Sequence, residues 1–575
     1  MQVVDQSTKQ VANSMALLNQ TIYPSRGLIY DRNGELLVYN QPIYDITIIV
    51  KQIKQNFDTI GFCNILGITR EEFEERMADI QDRKKNRSYS QHTPQLFASQ
   101  LSKEELSPLQ ESLHRFKGVN IRKRTLRDYT YNSAAQVLGS VGEVSQKNIE
   151  ADPYYTRGDY SGQSGLEKTY ENYLRGEKGV EIILRDNKGR LQGSYMDGQY
   201  DKKPISGGNL ITTLDIRLQI LAEQLLSGKI GSVVAIEPKT GEILALASNP
   251  TWDPKLLVGK QRSENYRKLL NDKTKPLMNR ASQAQYSPGS TFKTIQALSA
   301  LQEKVITPRT IYPCSGPSST PIRCTHHHGS AINLENAIEQ SCNPYFWGAY
   351  RDLLEKNKDI TQSFNIWRED IKSFGLGERF KESDIGEQSR GSIPSVELYN
   401  KLYGVNRWNS RTIRSLSIGQ GEILVTPLQL ANQAAAIANE GYYITPHLNK
   451  TDSFLTKRHD TKIDKQYFAC VKQGMRRVMT NGTGRYYQVD SLQMCGKTGT
   501  VQNAHGKDHA IFIGFAPLDN PQIAVAVVVE NAGFGATWAA PIASLVMEQY
   551  LTDTIQRQEI KQRISTTRLN PDVKE

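Results

Sequence analysis

Gly231-Ser232-Val233-Val234-Ala235-Ile236-Glu237-Pro238-Lys239-Thr240-Gly241-Glu242-Ile243-Leu244-Ala245-Leu246-Ala247-Ser248 reads as two buried strands joined by a Pro-Lys-Thr-Gly turn. A second pair of this kind lies near the far end of the chain. There His509–Ala516 and Ile523–Val529 flank Pro517-Leu518-Asp519-Asn520-Pro521. Ala539–Tyr550 then reads as a closing helix, and helical texture fills much of the space between the two hairpins. Strands at both ends with helices between predict an α+β domain whose sheet is shared by sequence-distant segments. Just upstream, Leu210–Leu214 is strand-like, and Asp215 is placed to cap a helix that opens at Ile216.

Working outward, the texture changes near Pro204-Ile205-Ser206-Gly207-Gly208, where the main domain boundary is expected. Residues 206–552 then form one domain and 553–575 a C-terminal tail. Residues 25–205 form an N-terminal domain, preceded by a polar lead-in over 1–24 that reads as extended or helical. In Gly27-Leu28-Ile29-Tyr30-Asp31-Arg32-Asn33-Gly34, the Asn-Gly pair is a strong hairpin signal, with strands over Gly27–Tyr30 and Leu36–Tyr39. Residues 51–120 are charged and helix-forming, with an amphipathic stretch over Arg70–Met77, and read as an inserted helical part.

A chain of 575 residues is long enough for several cores. Its net charge of +11 points to an anionic partner such as a lipid surface or an acidic polymer. Nucleic acid is the weaker choice, because no polybasic block or RNA-binding signature is present. The longest apolar run, Ile523–Val529, suits a buried strand and is too short to span a bilayer. The first residues lack the basic start and apolar core of a signal peptide.

Three short motifs carry chemistry. In Pro288-Gly289-Ser290-Thr291-Phe292-Lys293, the Pro-Gly pair opens a helix, and Ser290 and Lys293 are spaced to share one face. A neutral lysine amine beside a serine hydroxyl can take its proton, and burial lowers the cost of that neutral state. Taken alone, the pattern is more often a capping serine with a surface lysine. Ser341-Cys342-Asn343 offers a hydroxyl for proton relay and an amide to hold a carbonyl; alone, a helix cap is the plainer reading. Lys497-Thr498-Gly499-Thr500 sits where a strand is expected, and Gly499 lets a ligand approach the edge. Lys497 and the two hydroxyls suit a carboxylate; alone, the stretch reads as a solvated strand with a bulge. The backbone N–H groups of Ser290 and Thr500 are candidates for an oxyanion hole. In this order the three describe a serine acyl-transfer site with no catalytic histidine.

The three motifs, so ordered, resemble those of the penicillin-recognising serine acyl transferases. The flanks Asn279-Arg280-Ala281, Tyr286-Ser287-Pro288-Gly289, Ser417-Ile418-Gly419-Gln420-Gly421 and Thr426-Pro427-Leu428-Gln429-Leu430-Ala431 are similar to high-molecular-mass transpeptidases. Arg26–Gly34, Arg127-Asp128-Tyr129 and Gly165-Leu166-Glu167 resemble the pedestal domain of class B penicillin-binding proteins. His509–Pro517 and a Cys/His insert lean toward the penicillin-binding protein 2 branch, which serves cell elongation. The resemblance implies an elongated, non-catalytic pedestal of dimerisation type, followed by a transpeptidase domain with a central antiparallel sheet flanked by helices.

It also implies D,D-transpeptidation that forms 4→3 stem-peptide cross-links through an acyl-enzyme on Ser290. Lys293 would be the base and Ser341 the proton relay. Asn343 would orient the acyl peptide, and Lys497, Thr498, Gly499 and Thr500 would bind its terminal carboxylate or that of a β-lactam. No cofactor is implied for the chemistry. Implied partners are peptidoglycan stem peptides, β-lactam antibiotics, a SEDS-family glycosyltransferase and elongation-complex proteins. The implied location is the inner membrane with the catalytic domain outside it, so residue 1 is expected to follow an anchor. A carboxypeptidase or β-lactamase-type hydrolase and a non-catalytic β-lactam sensor share the same motifs. The large N-terminal region weighs against a hydrolase, and intact Lys293, Ser341 and Lys497 weigh against a sensor.

Six cysteines are too few for a disulfide scaffold, but Cys314, Cys324 and Cys342 cluster around His326-His327-His328. Three thiols and one imidazole suit tetrahedral zinc, with His328 the chosen histidine. Two readings compete: a Cys314–Cys324 disulfide, and a plain polar loop for the His run. Some members of the penicillin-binding protein 2 branch are similar in carrying such a zinc site.

Overall fold

The computed structural model describes residues 17–53, 57–84, 86, 89–156, 158–185, 191–325, 328–452, 456–503 and 506–573. Most of the lead-in, with His326 and His327, lies outside the described residues. The described part of the lead-in is a strand, Leu17–Ile22, paired antiparallel with Gly179–Arg185.

The Asn33-Gly34 turn forms as its sequence predicts. Ile29–Tyr30 pairs with Leu36–Ile48, and the Asp31 carboxylate accepts from the backbone N–H of Asn33 (2.7 Å) and Glu35 (2.9 Å). The second strand runs well past Tyr39, because Val119–Tyr129 pairs with it from Val38 to Ile48. Residues 51–120 are not wholly helical. The helices Thr59–Leu66, Arg70–Gln81 and Lys103–Ser112 are joined by a strand, Gln95–Leu101, paired with Leu36–Ile48. Phe97 and Leu101 on that strand bury against Phe62, Phe73 and Phe116, and this non-local cluster overrides the charged local composition.

The three N-terminal motifs meet in space. Glu167, fully buried, accepts from Arg26 at 2.6 Å and from Arg127 at 2.7 Å. Arg26 also reaches Glu171 at 2.6 Å. The hairpin then seats on the second domain. Leu210–Ile211 pairs parallel with Ile29–Tyr30, and the backbone N–H of Arg32 donates to the Leu214 carbonyl at 2.8 Å. Gly27 permits this joint: a Cβ there would lie 1.8 Å from the Gly208 oxygen.

In the second domain five antiparallel strands run in the order Ile243–Asn249, Gly231–Ile236, Ile523–Val529, His509–Ala516, Cys495–Val501. Both faces are covered. Val234, Ile511 and Val528 belong to the core that includes the Pro427–Ala438 helix. Val233, Phe512 and Val527 belong to the core that includes Ile216–Leu226 and Ala539–Thr552. Double coverage explains why these strands are continuous apolar runs rather than alternating ones. Asp215 caps Ile216–Leu226 by accepting from the N–H of Arg217 and Leu218.

The segment after 552 is not a free tail. A helix over Gln558–Thr566 packs back, Ile564 is buried, and the buried Lys229 ammonium donates to the Ile564 carbonyl at 2.6 Å. No helix among the described residues is long and apolar enough to cross a membrane.

Candidate active site

Ser290 sits in a 3-10 turn, Gly289–Phe292, which leads into the buried α-helix Lys293–Gln302. Sequence reasoning places Ser290 in the first turn of a helix; the structure gives that turn the tighter 3-10 geometry. Several contacts fix it. Gly289 has φ +55°, its N–H donates to the Gly419 carbonyl at 2.8 Å, and a Cβ on Gly289 would meet the Val501 methyl at 2.8 Å. Gly419 is itself at φ +70°, where a Cβ would lie 2.3 Å from the Gly289 oxygen. The Gln433 amide donates to the Thr291 carbonyl at 3.1 Å from the Pro427–Ala438 helix.

Lys293 is fully buried. Its Nζ donates to the Ser341 carbonyl (2.8 Å), Ser341 Oγ (3.2 Å) and Asn343 Oδ1 (2.6 Å), so each ammonium proton has an acceptor. Burial lowers its pKa to about 8, against a small upward pull from Cys342 and Cys324. Ser341 reaches this position because it follows the Leu334–Glu339 helix in the left-handed region, φ +55°, which turns both its oxygens toward the lysine. Such a conformation in a non-glycine residue costs about 1 kcal/mol or more. Asn343 opens the next helix, Asn343–Leu354, and its Nδ2 donates to the Arg323 carbonyl at 2.9 Å.

Lys497, Thr498, Gly499 and Thr500 lie on the edge strand Cys495–Val501. Lys497 is fully buried and donates to the Thr498 carbonyl at 3.1 Å. Burial, helped by the charge of Lys293, holds its pKa well below the ordinary lysine value. Thr498 Oγ1 bonds Thr483 Oγ1 at 2.7 Å, and Thr500 Oγ1 accepts from the Gly535 N–H at 3.4 Å. Gly499 keeps the strand flush with the serine turn: a Cβ would lie 3.1 Å from the Thr291 methyl. The structure thus brings the three motifs to one place. The Ser290 hydroxyl, an amine with a depressed pKa, a second hydroxyl and a strand edge that carries a buried lysine come together there, groups of the kind that acyl transfer uses.

Thr483, Gly419, Gln433 and Gly535 were not among the sequence candidates for the site. Gly419 stands in a quoted flank, and Thr483 stands between Gly482 and Gly484, a turn signal with no chemical meaning until the fold closes.

Behind the Ser341–Asn343 loop, Cys314, Cys324, His328 and Cys342 place their ligand atoms within 4.8 Å of one another. His328 Nε2 lies 3.4 Å from Cys324 Sγ and 3.7 Å from Cys314 Sγ. Its Nδ1 pairs with the Gly329 carbonyl at 2.8 Å, which puts the proton on Nδ1 and leaves Nε2 free to ligate. None of the cysteines is joined in a disulfide, so the Cys314–Cys324 bridge is not formed here. The Cys342 thiol is pushed up by its hydrogen bond with Cys324 and by burial, a crowding that a cation would relieve. Three sulfurs and one nitrogen are the donor set of a tetrahedral ion.

The chain as a whole is similar to known proteins. The profile described as "Penicillin binding protein transpeptidase domain" matches residues 231–548, and that described as "Penicillin-binding Protein dimerisation domain" matches residues 21–212. The chain is 32% identical to the "Peptidoglycan D,D-transpeptidase MrdA" of Acinetobacter baumannii, over 92% of this chain and 81% of that protein. It is similar to the crystal structure of Pseudomonas aeruginosa PBP2 in complex with WCK 5153, at 28% identity and TM-score 0.67, covering 93% of this chain and 97% of that one. In fold it also follows the PBP2 of Helicobacter pylori solved in complex with MreC, at 24% identity and TM-score 0.79, covering 94% and 100%. With a dimerisation domain ahead of a transpeptidase domain that gathers its three motifs around one serine, this chain belongs to the class B penicillin-binding proteins.

Proposed function

We propose that this chain is the peptidoglycan D,D-transpeptidase of cell elongation and that Ser290 carries its acyl-enzyme. The observation that supports this most is the buried triangle of bonds from Lys293 to Ser341 and Asn343, set beside the serine turn. Ser290 Oγ attacks the penultimate D-alanine carbonyl of a stem peptide while its proton passes to neutral Lys293. The oxyanion is received by the N–H groups of Ser290 and Thr500. Terminal D-alanine departs with a proton relayed through Ser341, and the ester is then taken by an amine of a neighbouring stem. Lys497, Thr498 and Thr500 hold the terminal carboxylate; Asn343 orients the acyl peptide. The acyl transfer needs no cofactor.

Cys314, Cys324, His328 and Cys342 would hold a structural zinc that braces the Ser341–Asn343 loop from behind. The domain plan is a pedestal over 25–205 and a transpeptidase domain over 206–552. The substrate places the catalytic domain outside the cytoplasmic membrane, with the chain anchored to the inner membrane. The Helicobacter pylori complex with MreC supports elongation-complex proteins as partners, alongside a SEDS-family glycosyltransferase.

Intact mass after benzylpenicillin tests the reading. One long-lived adduct is expected, absent in Ser290→Ala, together with cross-linking of stem peptides that the same variant lacks. Rapid turnover of the drug would instead assign a hydrolase, and acylation without cross-linking a sensor.

A further inference from the structure

A cavity of about 90 Å³ lies on the seam between the two domains, and none of the residues of the three motifs lines it. The N-terminal domain contributes Tyr23, Arg124, Arg127 and Lys178 to its wall; the catalytic side contributes Val258 and Arg262.

The charges around it do not balance. Arg26 and Arg127 share Glu167, and Arg26 also takes Glu171. Arg122 and Arg124 share Asp45, both at 3.3 Å. Arg175 pairs with Asp152 and Lys178 with Asp159. Arg262 completes no ion pair among the described residues; its Nε donates only to the Val141 carbonyl at 3.0 Å. Two positive charges are therefore left over. One unmet donor is deep in the wall: Arg127 is 4% exposed, and its Nη2 has no hydrogen-bond partner. Its Nε and Nη1 are used by Glu167 and Asn40. A buried guanidinium N–H without an acceptor is costly, and burial pulls the Arg127 pKa down despite Glu167. Arg127 and Arg262 line this one cavity from its two sides.

The tyrosine rings of the wall are already covered. Arg124 lies over Tyr23 and Tyr160 at 4.9 and 4.7 Å, and Arg175 over Tyr154 at 4.0 Å. With cations already seated on these rings, the uncommitted groups of the wall are guanidinium N–H donors, which suit a charged head group. Planar guanidinium forks match the paired oxygens of a carboxylate or a phosphate.

We infer that the seam cavity is an oxyanion-binding site, in which a carboxylate or phosphate head group accepts from Arg127 Nη2 and from the free N–H groups of Arg262. Because Arg262 belongs to the catalytic side and Arg127 to the pedestal, the bound anion fastens one domain to the other. The lining includes no residue of the three motifs, and the site does not depend on the acyl-transfer reading, except that a wall saccharide is a natural source of the carboxylate.

Phenylglyoxal labelling of the full chain, read peptide by peptide by mass at constant ionic strength, tests this. Inorganic phosphate is added in one arm and N-acetylmuramic acid in the other. Saturable protection of Arg262 by either probe, and not by chloride, is expected; protection by only one assigns the head group to phosphate or to carboxylate. Calorimetric affinity for that probe should fall about 30-fold or more in Arg262→Gln, as expected when one partner of a charge pair is removed. Arg127→Lys, which keeps the charge and removes the fork, should weaken it as well. Benzylpenicillin acylation of every sample reports folding and the Ser290 site independently. No protection by either probe, equal protection by chloride, or undiminished binding to Arg262→Gln overturns the inference.

Discussion

The side chain of Asn343 spans two structures: its Oδ1 accepts from the Lys293 ammonium at 2.6 Å, while its Nδ2 donates to the backbone carbonyl of Arg323 at 2.9 Å. Arg323 immediately precedes Cys324, so two hydrogen bonds through one amide connect the lysine to the residue next to the cluster. Cys342 closes the loop from the other side, between the two residues that hold Lys293.

Loss of the zinc proposed for the cluster should therefore reach Lys293. Native mass is expected to show one zinc per chain, lost in Cys324→Ser. Benzylpenicillin acylation should slow about 10-fold or more, the scale seen when support around a metal site is lost. A zinc-free chain acylating at the full rate would refute the coupling.

The acylation rate should depend on pH through Lys293. Its pKa is lowered to about 8, so at pH 7 only roughly one-tenth of the amine is neutral and able to accept the Ser290 proton. The rate is expected to climb as pH rises toward 8 and to level above it. A rate that falls over this range in a nitrocefin stopped-flow series would exclude Lys293 as the base.

Gly419→Ala should damage catalysis without touching substrate. A Cβ there, at φ +70° and 2.3 Å from the Gly289 oxygen, must push the serine turn aside. Displacement of this kind costs about 100-fold in rate. The measurement is acylation rate against circular dichroism, with secondary structure retained.

Glu167→Gln should unfold the pedestal first. It leaves Arg26 and Arg127 facing each other without their shared carboxylate. Breaking a buried pair in this way costs about 3–5 kcal/mol. Differential scanning calorimetry should show the loss; a melting profile equal to wild type would show that the pair adds little.

What the sequence could disclose was local. Asn33-Gly34 encodes its turn in two residues, Asp215 encodes its cap, and the apolar runs at both ends of the catalytic domain encode strands covered on both faces. The strand Gln95–Leu101 is hidden because exposed Leu96 and neighbouring charges blur the alternation, and only packing onto Phe62 and Phe73 decides it. Thr483 has no signature of its own; it matters because the fold lays it against Thr498. Arg26, Arg127 and Glu167 are visible as motif letters, but that two of them are cations sharing one carboxylate is a fact of tertiary structure. The unmatched charges of the seam cavity come from separate segments and could not be counted before those segments met.

The central strand of the catalytic sheet, Ile523–Val529, is nearly the last to be made, yet it pairs with Gly231–Ile236, nearly the first. During synthesis the pedestal can complete its sheet as it emerges, whereas the catalytic domain must wait for the end of the chain. A premature stop between Asn343 and that strand leaves Ser290, Lys293, Ser341 and Asn343 present but their sheet without its central strand. Assembly of the site is thereby tied to completion of the chain.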